Sequence, residues 1–188
     1  YTATCTASSD GTPSILVAAS GYTDAAGNGN TVSNTYTWTY DTTGPTMTIT
    51  SSSVTSGATT GTEAVALTFT SNEVTTDFIA SDITATSCTL SSLSGSSTVY
   101  TATCTPADGA TASVAVAAGT FSDASGNTNS VSNTYSWTYD GTGPTMAITS
   151  SSVTSGATTG TEAVALTFTS NEATTDFIAD DITATSCT

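Results

Sequence analysis

The hydrophobic residues of this chain alternate with small and hydroxylated residues over several short stretches. The stretch Glu63–Ser71 shows the pattern most clearly, because every second residue is large and apolar: Val65, Leu67 and Phe69. A period of two places such residues on one face of a strand, which is typical of a sheet with one buried side. No stretch repeats its apolar residues at the three-to-four-residue spacing of an amphipathic helix. The pattern therefore predicts an all-β protein.

The same alternation predicts about seven short strands in roughly 100 residues, separated by turn sequences such as SGATTGT and DASGNTN. The strands are expected at Thr46–Ser51, Glu63–Ser71, Val74–Ile79, Ile83–Thr89, Thr98–Thr105, Ala112–Ala118 and Val131–Tyr139. This number and spacing of strands is typical of an Ig-like β-sandwich. Trp137 is expected either under a sheet of this sandwich or at a domain junction.

The chain repeats itself with a period of 99 residues. YTATCT begins at residue 1 and again at residue 100, and SVTSGATTGTEAVALTFTSNE begins at residue 53 and again at residue 152. Residues 31–89 differ from residues 130–188 at only six positions, whereas Ala7–Gly29 differs widely from Pro106–Thr128. A fixed period of this kind predicts tandem Ig-like repeats.

Gly-Pro sequences mark the boundaries of the repeats. YDTTGPT at 40–46 and YDGTGPT at 139–145 each end one strand and begin the next. We therefore expect residues 1–40 to be the carboxy-terminal half of a repeat, residues 41–139 a complete repeat, and residues 140–188 the amino-terminal half of another. The chain opens inside a strand-like pattern, which indicates a segment of a longer polypeptide.

Composition narrows the functions that this protein can have. The 188 residues include 15 Asp and Glu but no Lys, Arg or His, which gives a formal charge of −15. Binding of nucleic acids or of anionic lipid headgroups needs cationic side chains, and no apolar run is long enough for membrane insertion, so none of these is expected. Serine is abundant, but without a His or Lys base no serine is expected to act as a nucleophile. The carboxylate pair Asp77 and Asp82 recurs in the second copy, which favours a structural role, so an enzyme is not expected and no cofactor is required.

Two of the four cysteines lie near the ends of the segment SCTLSSLSGSSTVYTATC. Folding this segment about Ser96 places Cys88 opposite Cys104 and Leu90 opposite Ala102, as in an antiparallel hairpin with a disulfide. Such a bond closes a loop of about 17 residues and adds about 3 kcal/mol of stability. Two free buried thiols are the alternative. A disulfide indicates an oxidising compartment, and hence a secreted or cell-surface protein.

Several motifs also occur in an order that is found in a known family. They are DTTGPT at 41–46, DFIASDI at 77–83, YTATCTP at 100–106 and VAAGTFSDASGN at 116–127. With these motifs the chain resembles the bacterial Ig-like repeats of large cell-surface adhesins and related extracellular repeat proteins. The resemblance covers the whole chain, and it implies a secreted, tandemly repeated stalk or fibre module.

The other two cysteines, Cys5 and Cys187, are the repeat counterparts of Cys104 and Cys88. Each is expected to pair with a cysteine of a neighbouring repeat or subunit. If the half-repeat at the end of one chain combined with the half-repeat at the start of the next, a head-to-tail filament joined by Cys187–Cys5 bonds would form. The simpler alternative is a continuous polypeptide, in which a ten-residue loop matching residues 90–99 restores the period. Both alternatives predict a linear fibre of neighbouring copies.

Oxygen-bearing side chains recur in loops that are expected to lie near the domain ends. They are Asp24, Asn28 and Asp41, repeated as Asp123, Asn127 and Asp140. Their convergence would suit a structural Ca²⁺ ion, which takes six to eight oxygen ligands. The alternative is ordinary turn chemistry, in which Asp and Asn accept hydrogen bonds from nearby backbone N–H groups.

The Ser/Thr-rich surface suggests a covalent modification. The turn sequence TSGATTGT and its copy suit O-glycans, with candidate sites at Thr55, Ser56, Thr59, Thr60, Thr154, Ser155, Thr158 and Thr159. The chain contains no N-x-Ser/Thr sequon, so N-glycosylation is not expected.

Together these features predict a structural repeat module of an extracellular fibre, filament or stalk, assembled head to tail from disulfide-stapled domains. The alternative is an adhesin repeat that binds a carbohydrate or a cell surface. Its ligand site would lie in the variable stretch Ala7–Gly29 and its counterpart, where Tyr22 and Phe121 share one loop position.

Overall fold

The computed structural model describes residues 1–186 as two compact units, of which the first ends at Gly141 and the second begins at Thr142. Cys187 and Thr188 lie outside the described residues. The strands are β1 (Ser14–Ile15), β2 (Tyr36–Thr37), β3 (Met47–Thr50), β4 (Thr59–Thr60), β5 (Val65–Thr75), β6 (Ile83–Thr86), β7 (Cys88–Leu90), β8 (Ser94–Pro106), β9 (Thr111–Val116), β10 (Tyr135–Tyr139), β11 (Met146–Thr149) and β12 (Thr167–Ser170). Short 3₁₀ turns span Ala80–Asp82 and Ala179–Asp181. Within the described residues, no helix has the length and apolar character needed to cross a lipid bilayer.

Strands β3 to β10 build a two-sheet sandwich within residues 41–139. One sheet has the strand order β3-β5-β8-β7 and the other has the order β4-β10-β9-β6. Every pairing is antiparallel except that of β4 with β10, which is parallel. This topology is that of an Ig-like sandwich with four strands in each sheet, and it confirms the predicted fold class.

The core lies between the inner faces of the two sheets. Val65, Leu67 and Phe69 of β5 are each at most 1% exposed, as the alternation of the sequence predicts. The facing sheet contributes Val114 and Trp137, which are equally buried. Burial of one such side chain stabilises the fold by about 1.5–3 kcal/mol, so the core supplies most of the stability. Trp137 therefore lies under the sheet, the first of its two expected positions.

The disulfide between Cys88 and Cys104 is present, with Cα atoms 5.7 Å apart, but the register of its hairpin differs from the prediction. Cys104 lies opposite Leu90, so the bond links neighbouring positions diagonally along one face. The pairing of β7 with β8 is thus centred on residue 97, one residue later than Ser96. Both strands belong to the same sheet, so the bond staples β7 to β8 and does not cross the sandwich.

The strands also differ from the prediction in three larger ways, besides shifts at several of their ends. The strand expected at Val74–Ile79 is absent, because β5 continues to Thr75 and a 3₁₀ turn follows. The strand expected at Ile83–Thr89 is divided at Ser87, whose φ of 57° turns the chain so that β6 and β7 join different sheets. Strand β4 was not predicted, because its two threonines carry no alternation.

Among the described residues, each flanking segment forms a two-stranded sheet. In residues 1–40, β1 pairs with β2. In the unit that begins at Thr142, β11 pairs with β12 in the same register as β3 with β5, since Met146 faces Ser170 as Met47 faces Ser71. Each segment therefore folds locally like the corresponding part of the sandwich.

We expect the variant Cys88→Ala/Cys104→Ala to unfold more easily than the native chain, by about 3 kcal/mol. The bond joins residues 16 positions apart, and its loss returns conformational freedom to the unfolded loop. Denaturant unfolding followed by Trp fluorescence measures the change, with Cys5→Ala as the control. Equal stability of the double variant and the native chain would contradict this account.

Candidate functional site

The loop between β9 and β10 is organised by one buried amide. Asn129 is 3% exposed, and its Oδ1 accepts hydrogen bonds from the backbone N–H groups of Thr120 and Phe121, at 2.8 and 3.0 Å. Its Nδ2 donates to the carbonyl groups of Ala117 and Ser130, both at 2.8 Å. A single side chain thus satisfies four backbone groups and fixes the loop. In residues 1–40, Asn30 makes the corresponding contacts to Tyr22, Ala18 and Thr31.

The same loop contains a turn centred on Asp123. Its Oδ1 accepts from the backbone N–H groups of Ser125 and Asn127, at 2.8 and 2.9 Å, and its Oδ2 accepts from Asn127 Nδ2 at 2.9 Å. Loss of hydration raises the pKa of Asp123, but the hydrogen bonds from Asn127 and Ser125 outweigh it, and the pKa lies below its ordinary value of 3.8. Residues 123–127 therefore form the hydrogen-bonded turn that the sequence D-x-x-G-N predicts as the alternative to a calcium site.

Three carboxylates converge beside this turn. One oxygen from each of Asp41, Glu73 and Asp123 lies within 4.8 Å of the other two. Ser125 Oγ donates to Asp41 Oδ2 at 3.2 Å, and Asn127 Nδ2 donates to the Asp41 carbonyl at 3.1 Å, so the loop is tied to the start of the domain. These three residues could supply three of the six to eight oxygens that Ca²⁺ takes.

The structure brings together only part of the predicted calcium set. Asp41, Asp123 and Asn127 lie side by side, whereas Asp24 and Asp140 join no such carboxylate group within the described residues. Asp24 and Asn28 instead form a turn like that of Asp123, with Asn28 Nδ2 donating to Asp24 Oδ2 at 2.9 Å. The calcium site itself stays a prediction.

Glu73 was missed by the sequence analysis. It lies between Thr70 and Thr75, where the pairing of β5 with β8 shifts register. Glu73 follows the alternation of β5, in which every second residue from Val65 to Thr75 is buried or half-buried, but the sequence does not show which loop this face meets. The sequence offers only the weak signal that SNE recurs at 71–73 and 170–172.

Asp77 and Asp82 both bind backbone groups and thus act structurally. Asp77 accepts from the Ser122 N–H, at 3.0 Å to Oδ2, and from Ser122 Oγ at 2.7 Å. Partial burial raises the pKa of Asp77, but the hydrogen bonds from Ser122 outweigh it and lower the pKa below 3.8. Asp82 Oδ2 accepts from the Ile79 N–H at 2.8 Å and closes the 3₁₀ turn.

The candidate glycosylation residues lie mostly at the surface. Thr55, Ser56, Thr59, Thr154, Ser155, Thr158 and Thr159 are exposed, and Thr60 is half-buried. Thr59 and Thr60 form β4, so their backbone is already paired with β10. O-glycosylation at these residues stays a prediction.

The flanking half-repeats expose residues that the sandwich buries. Leu166 is 54% exposed, whereas its counterpart Leu67 is 1% exposed. Tyr36 is 67% exposed, whereas its counterpart Tyr135 is 5% exposed. The same contrast holds for Ile15, Val17, Tyr22, Ile148, Val164, Phe177 and Ile182, whose counterparts are Val114, Val116, Phe121, Ile49, Val65, Phe78 and Ile83. Each half-repeat therefore presents an open apolar face.

The cysteines of the half-repeats were predicted to pair with neighbouring repeats or subunits. Cys5 is an exposed free thiol. Cys187 lies outside the described residues, so its pairing stays a prediction.

We expect Asp77→Asn to lower the melting temperature at pH 6 but to have little effect at about pH 2. Because folding lowers the pKa of Asp77, its stabilising effect is complete above 3.8 and is lost as the pH falls through the lower folded value. Thermal unfolding followed by circular dichroism across this range measures the difference. Ser122→Ala removes the Oγ donor but keeps the backbone N–H, so it must show a smaller effect with the same dependence on pH. A difference that stays constant with pH would exclude this role for the carboxylate.

We expect Glu73→Gln to raise the melting temperature in a chelating buffer, because it relieves a like-charge repulsion of up to about 1 kcal/mol per pair in water. If Ca²⁺ binds at the three carboxylates, adding it must stabilise the native chain and the control Glu63→Gln, but not Glu73→Gln. Melting curves with and without CaCl₂ distinguish the cases. If CaCl₂ raised the melting temperature of all three proteins equally, any bound calcium would lie at a site other than these carboxylates.

The comparison with protein families agrees with this architecture. The sequence profile of the bacterial Ig-like domain matches residues 41–139, which is 99 of the 188 residues. No curated protein and no solved structure matched the chain. Domains of this family are non-catalytic structural modules that are typically extracellular or surface-exposed. Since the match takes in more than half of the chain and the strands have Ig-like topology, the chain belongs to the bacterial Ig-like domain family.

Proposed function

We propose that this chain is a structural module of an extracellular fibre or stalk in which disulfide-stapled Ig-like repeats follow one another head to tail. The observation that carries the proposal is the direct succession of repeats along the chain. In residues 1–40, Ser14 of β1 faces Thr37 of β2, as Ser113 of β9 faces Ser136 of β10 in the complete sandwich that follows at residue 41. Structural units that follow one another at a fixed period form linear arrays.

The junction between residues 1–40 and the sandwich supports a stiff connection. Asp10 accepts hydrogen bonds from the side chains of Thr43 and Thr42, both at 2.8 Å, and from the Thr42 N–H at 3.1 Å. The hydrogen bonds from Thr43 and Thr42 lower the pKa of Asp10 below 3.8, so the carboxylate is ionised at neutral pH. A loop of one half-repeat is thus tied directly to the start of the next repeat, without a flexible linker.

The sandwich is also built to resist a pull along the fibre. Its last strand, β10, pairs in parallel with β4, and the bonds from Thr138 N–H to the Ala58 carbonyl and from Asp140 N–H to the Thr60 carbonyl measure 2.9 and 3.0 Å. A pull on the two ends of the domain loads this parallel pair in shear, so its hydrogen bonds must break together. The Cys88–Cys104 bond then keeps the enclosed loop from extending.

Single-molecule stretching is expected to show this effect of the disulfide. Because the bond encloses a separation of 16 residues, reduction should lengthen the unfolding step of the sandwich by about 50 Å. The Cys88→Ala/Cys104→Ala variant should show the longer step with and without reductant. A step of equal length in both redox states would show that the bond carries no load.

The adhesin alternative has less support from the variable loop. A carbohydrate-binding repeat would expose a ring for stacking, and Tyr22 is indeed 65% exposed. Its counterpart in the complete sandwich, Phe121, is 2% exposed and packs edge-on against Phe78, with ring centroids 5.0 Å apart. The ring at this position is therefore part of the core once both halves of a repeat are present.

The fibre function can be tested on cells that make the protein. Immunogold electron microscopy with an antibody raised against residues 41–139 should label extracellular fibres at a regular spacing. Chemical deglycosylation of the isolated fibres, followed by mass measurement, would also test the predicted O-glycans. Label confined to the cell interior, or to secreted protein without fibres, would overturn the proposal.

A further inference from the structure

Strand β3 lies at the edge of its sheet in the complete sandwich, and the end of the loop between β9 and β10 passes along its open side. We propose that Asn133 in this loop blocks strand addition at the β3 edge. The strand that it excludes is β3 of a second copy of this chain. This role concerns only the sandwich of residues 41–139 and stands independently of the proposed fibre function.

The pairing of β3 with β5 decides which backbone groups of β3 face the open side. The Asn72 N–H donates to the Thr46 carbonyl at 3.2 Å, and the Thr46 N–H donates to Asn72 Oδ1, so Thr46 uses its backbone groups on the β5 side. Residues that bond to the partner strand alternate with residues that do not along an antiparallel pair. Pro45, Met47 and Ile49 therefore turn their backbone groups to the open edge.

Residues of the loop occupy most of these edge groups. Asn133 Oδ1 accepts from the Ile49 N–H at 2.8 Å, and Asn133 Nδ2 donates to the Ile49 carbonyl at 2.9 Å. The Ser130 N–H donates to the Pro45 carbonyl at 3.0 Å, and proline has no N–H to offer. A single amide side chain thus supplies Ile49 with the donor and the acceptor that an added strand would bring.

The neighbouring residue holds Asn133 in this position. The Val116 N–H of β9 donates to Ser132 Oγ at 2.8 Å, and the Ser132 N–H donates to the Val116 carbonyl at 3.0 Å. Ser132 is therefore bound to one sheet while Asn133 is bound to the edge of the other. Asn133 itself is exposed, so another strand could reach this edge if the amide were not there.

The β3 edge needs such a block more than the other edges of the sandwich do. Strands β4 and β7 have only two and three residues, and β6 follows directly on the charged Asp82. Short length and nearby charge both discourage pairing with another chain. Residues 46–50, TMTIT, contain no charge, glycine or proline and are mostly β-branched, which is typical of segments that pair readily with their own copies.

The complex that the amide prevents is a symmetric pair of β3 strands. Two identical edges pair antiparallel about a twofold axis, and centring on Ile49 would place Thr48 opposite Thr50 of the second copy. Both backbone groups of Ile49 would have to be free for this pairing. Residues 41–139 carry seven acidic side chains and no cationic ones, but salt screens their repulsion beyond about 10 Å at 0.1 M. Charge alone therefore does not keep two uncharged edges apart.

The first experiment compares association of the full chain and of its variants in sedimentation velocity, after alkylation of the free thiol of Cys5 and any other free thiol. Asn133→Ala should form more dimers and larger species than the native chain, and increasingly so at higher protein and salt concentrations. Asn127→Ala is the matched control, because it removes bonds to Asp123 and to the Asp41 carbonyl in the same loop but none to β3. It should associate no more than the native chain.

Two further variants separate the block from general loss of stability. Asn133→Ser has a side chain too short to span both groups of Ile49, and it should associate as Asn133→Ala does even if the alanine variant does not fold. Asn133→Asp still accepts from the Ile49 N–H and adds a charge at the edge, so it should associate no more than the native chain. Circular dichroism identifies the variants that are folded.

Hydrogen exchange shows whether the association uses this edge. At low protein concentration the Ile49 amide of Asn133→Ala should exchange about fivefold faster than in the native chain, because its hydrogen bond is lost. At high concentration, protection of this amide should return, since the second copy supplies a new acceptor. NMR of the labelled full chain measures both rates.

Three results would overturn the proposal. They are association of the folded Asn133→Ala or Asn133→Ser variant no stronger than that of the native chain, equal association of Asn127→Ala, and equal association of Asn133→Asp. Association without renewed protection of the Ile49 amide would also overturn it, because the copies would then meet at another surface. None of these results bears on the fibre function, which immunogold labelling tests separately.

Discussion

The fold depends on the burial of one apolar layer that neither half of a repeat can bury alone. Strand β8, from the second half of the sequence, lies between β5 and β7 from the first half. Strands β4 and β6, from the first half, lie at the two edges of the sheet that β9 and β10 form. Both sheets are thus assembled from both halves, and Leu67 is buried only where the second half is present. This interlocking explains why the flanking halves keep their local pairing and still expose their apolar faces.

With no Lys, Arg or His, the polar organisation rests on Asn and Asp side chains that bind backbone groups. Asn129 fixes the loop between β9 and β10, Asn133 joins that loop region to β3, and Asp77 holds Ser122. Buried polar groups cost free energy unless they are hydrogen-bonded, and short amides and carboxylates meet this need without a countercharge. The protein therefore keeps a net charge of −15 while its loops remain ordered. Like charges repel one another most directly at the carboxylates of Asp41, Glu73 and Asp123, which lie close together.

The alternation of the sequence predicted the all-β class, the Ig-like sandwich and the core residues of β5, because strand periodicity directly reports which face is buried. The disulfide followed from the mirrored cysteines, but its register did not, since the pairing is centred one residue beyond the mirror centre of the sequence. The division into β6 and β7 likewise depends on the backbone of Ser87, a residue that rarely adopts such a conformation. Asp41 and Asp123 were expected to converge from their repeated loops, whereas Glu73 belongs to β5, and only the assembled sandwich shows which loop this end of the strand meets.

The position of the disulfide decides what it contributes to the sandwich. Cys88 lies on the edge strand β7 and Cys104 on the central strand β8, where it faces Val65 of β5. Strand β7 is only three residues long, so few backbone hydrogen bonds hold it to the sheet. The bond joins this short edge strand covalently to the buried centre of the sheet and reduces the freedom of the loop between them in the unfolded chain. Its effect is therefore largest at the part of the sandwich that backbone pairing alone holds least firmly.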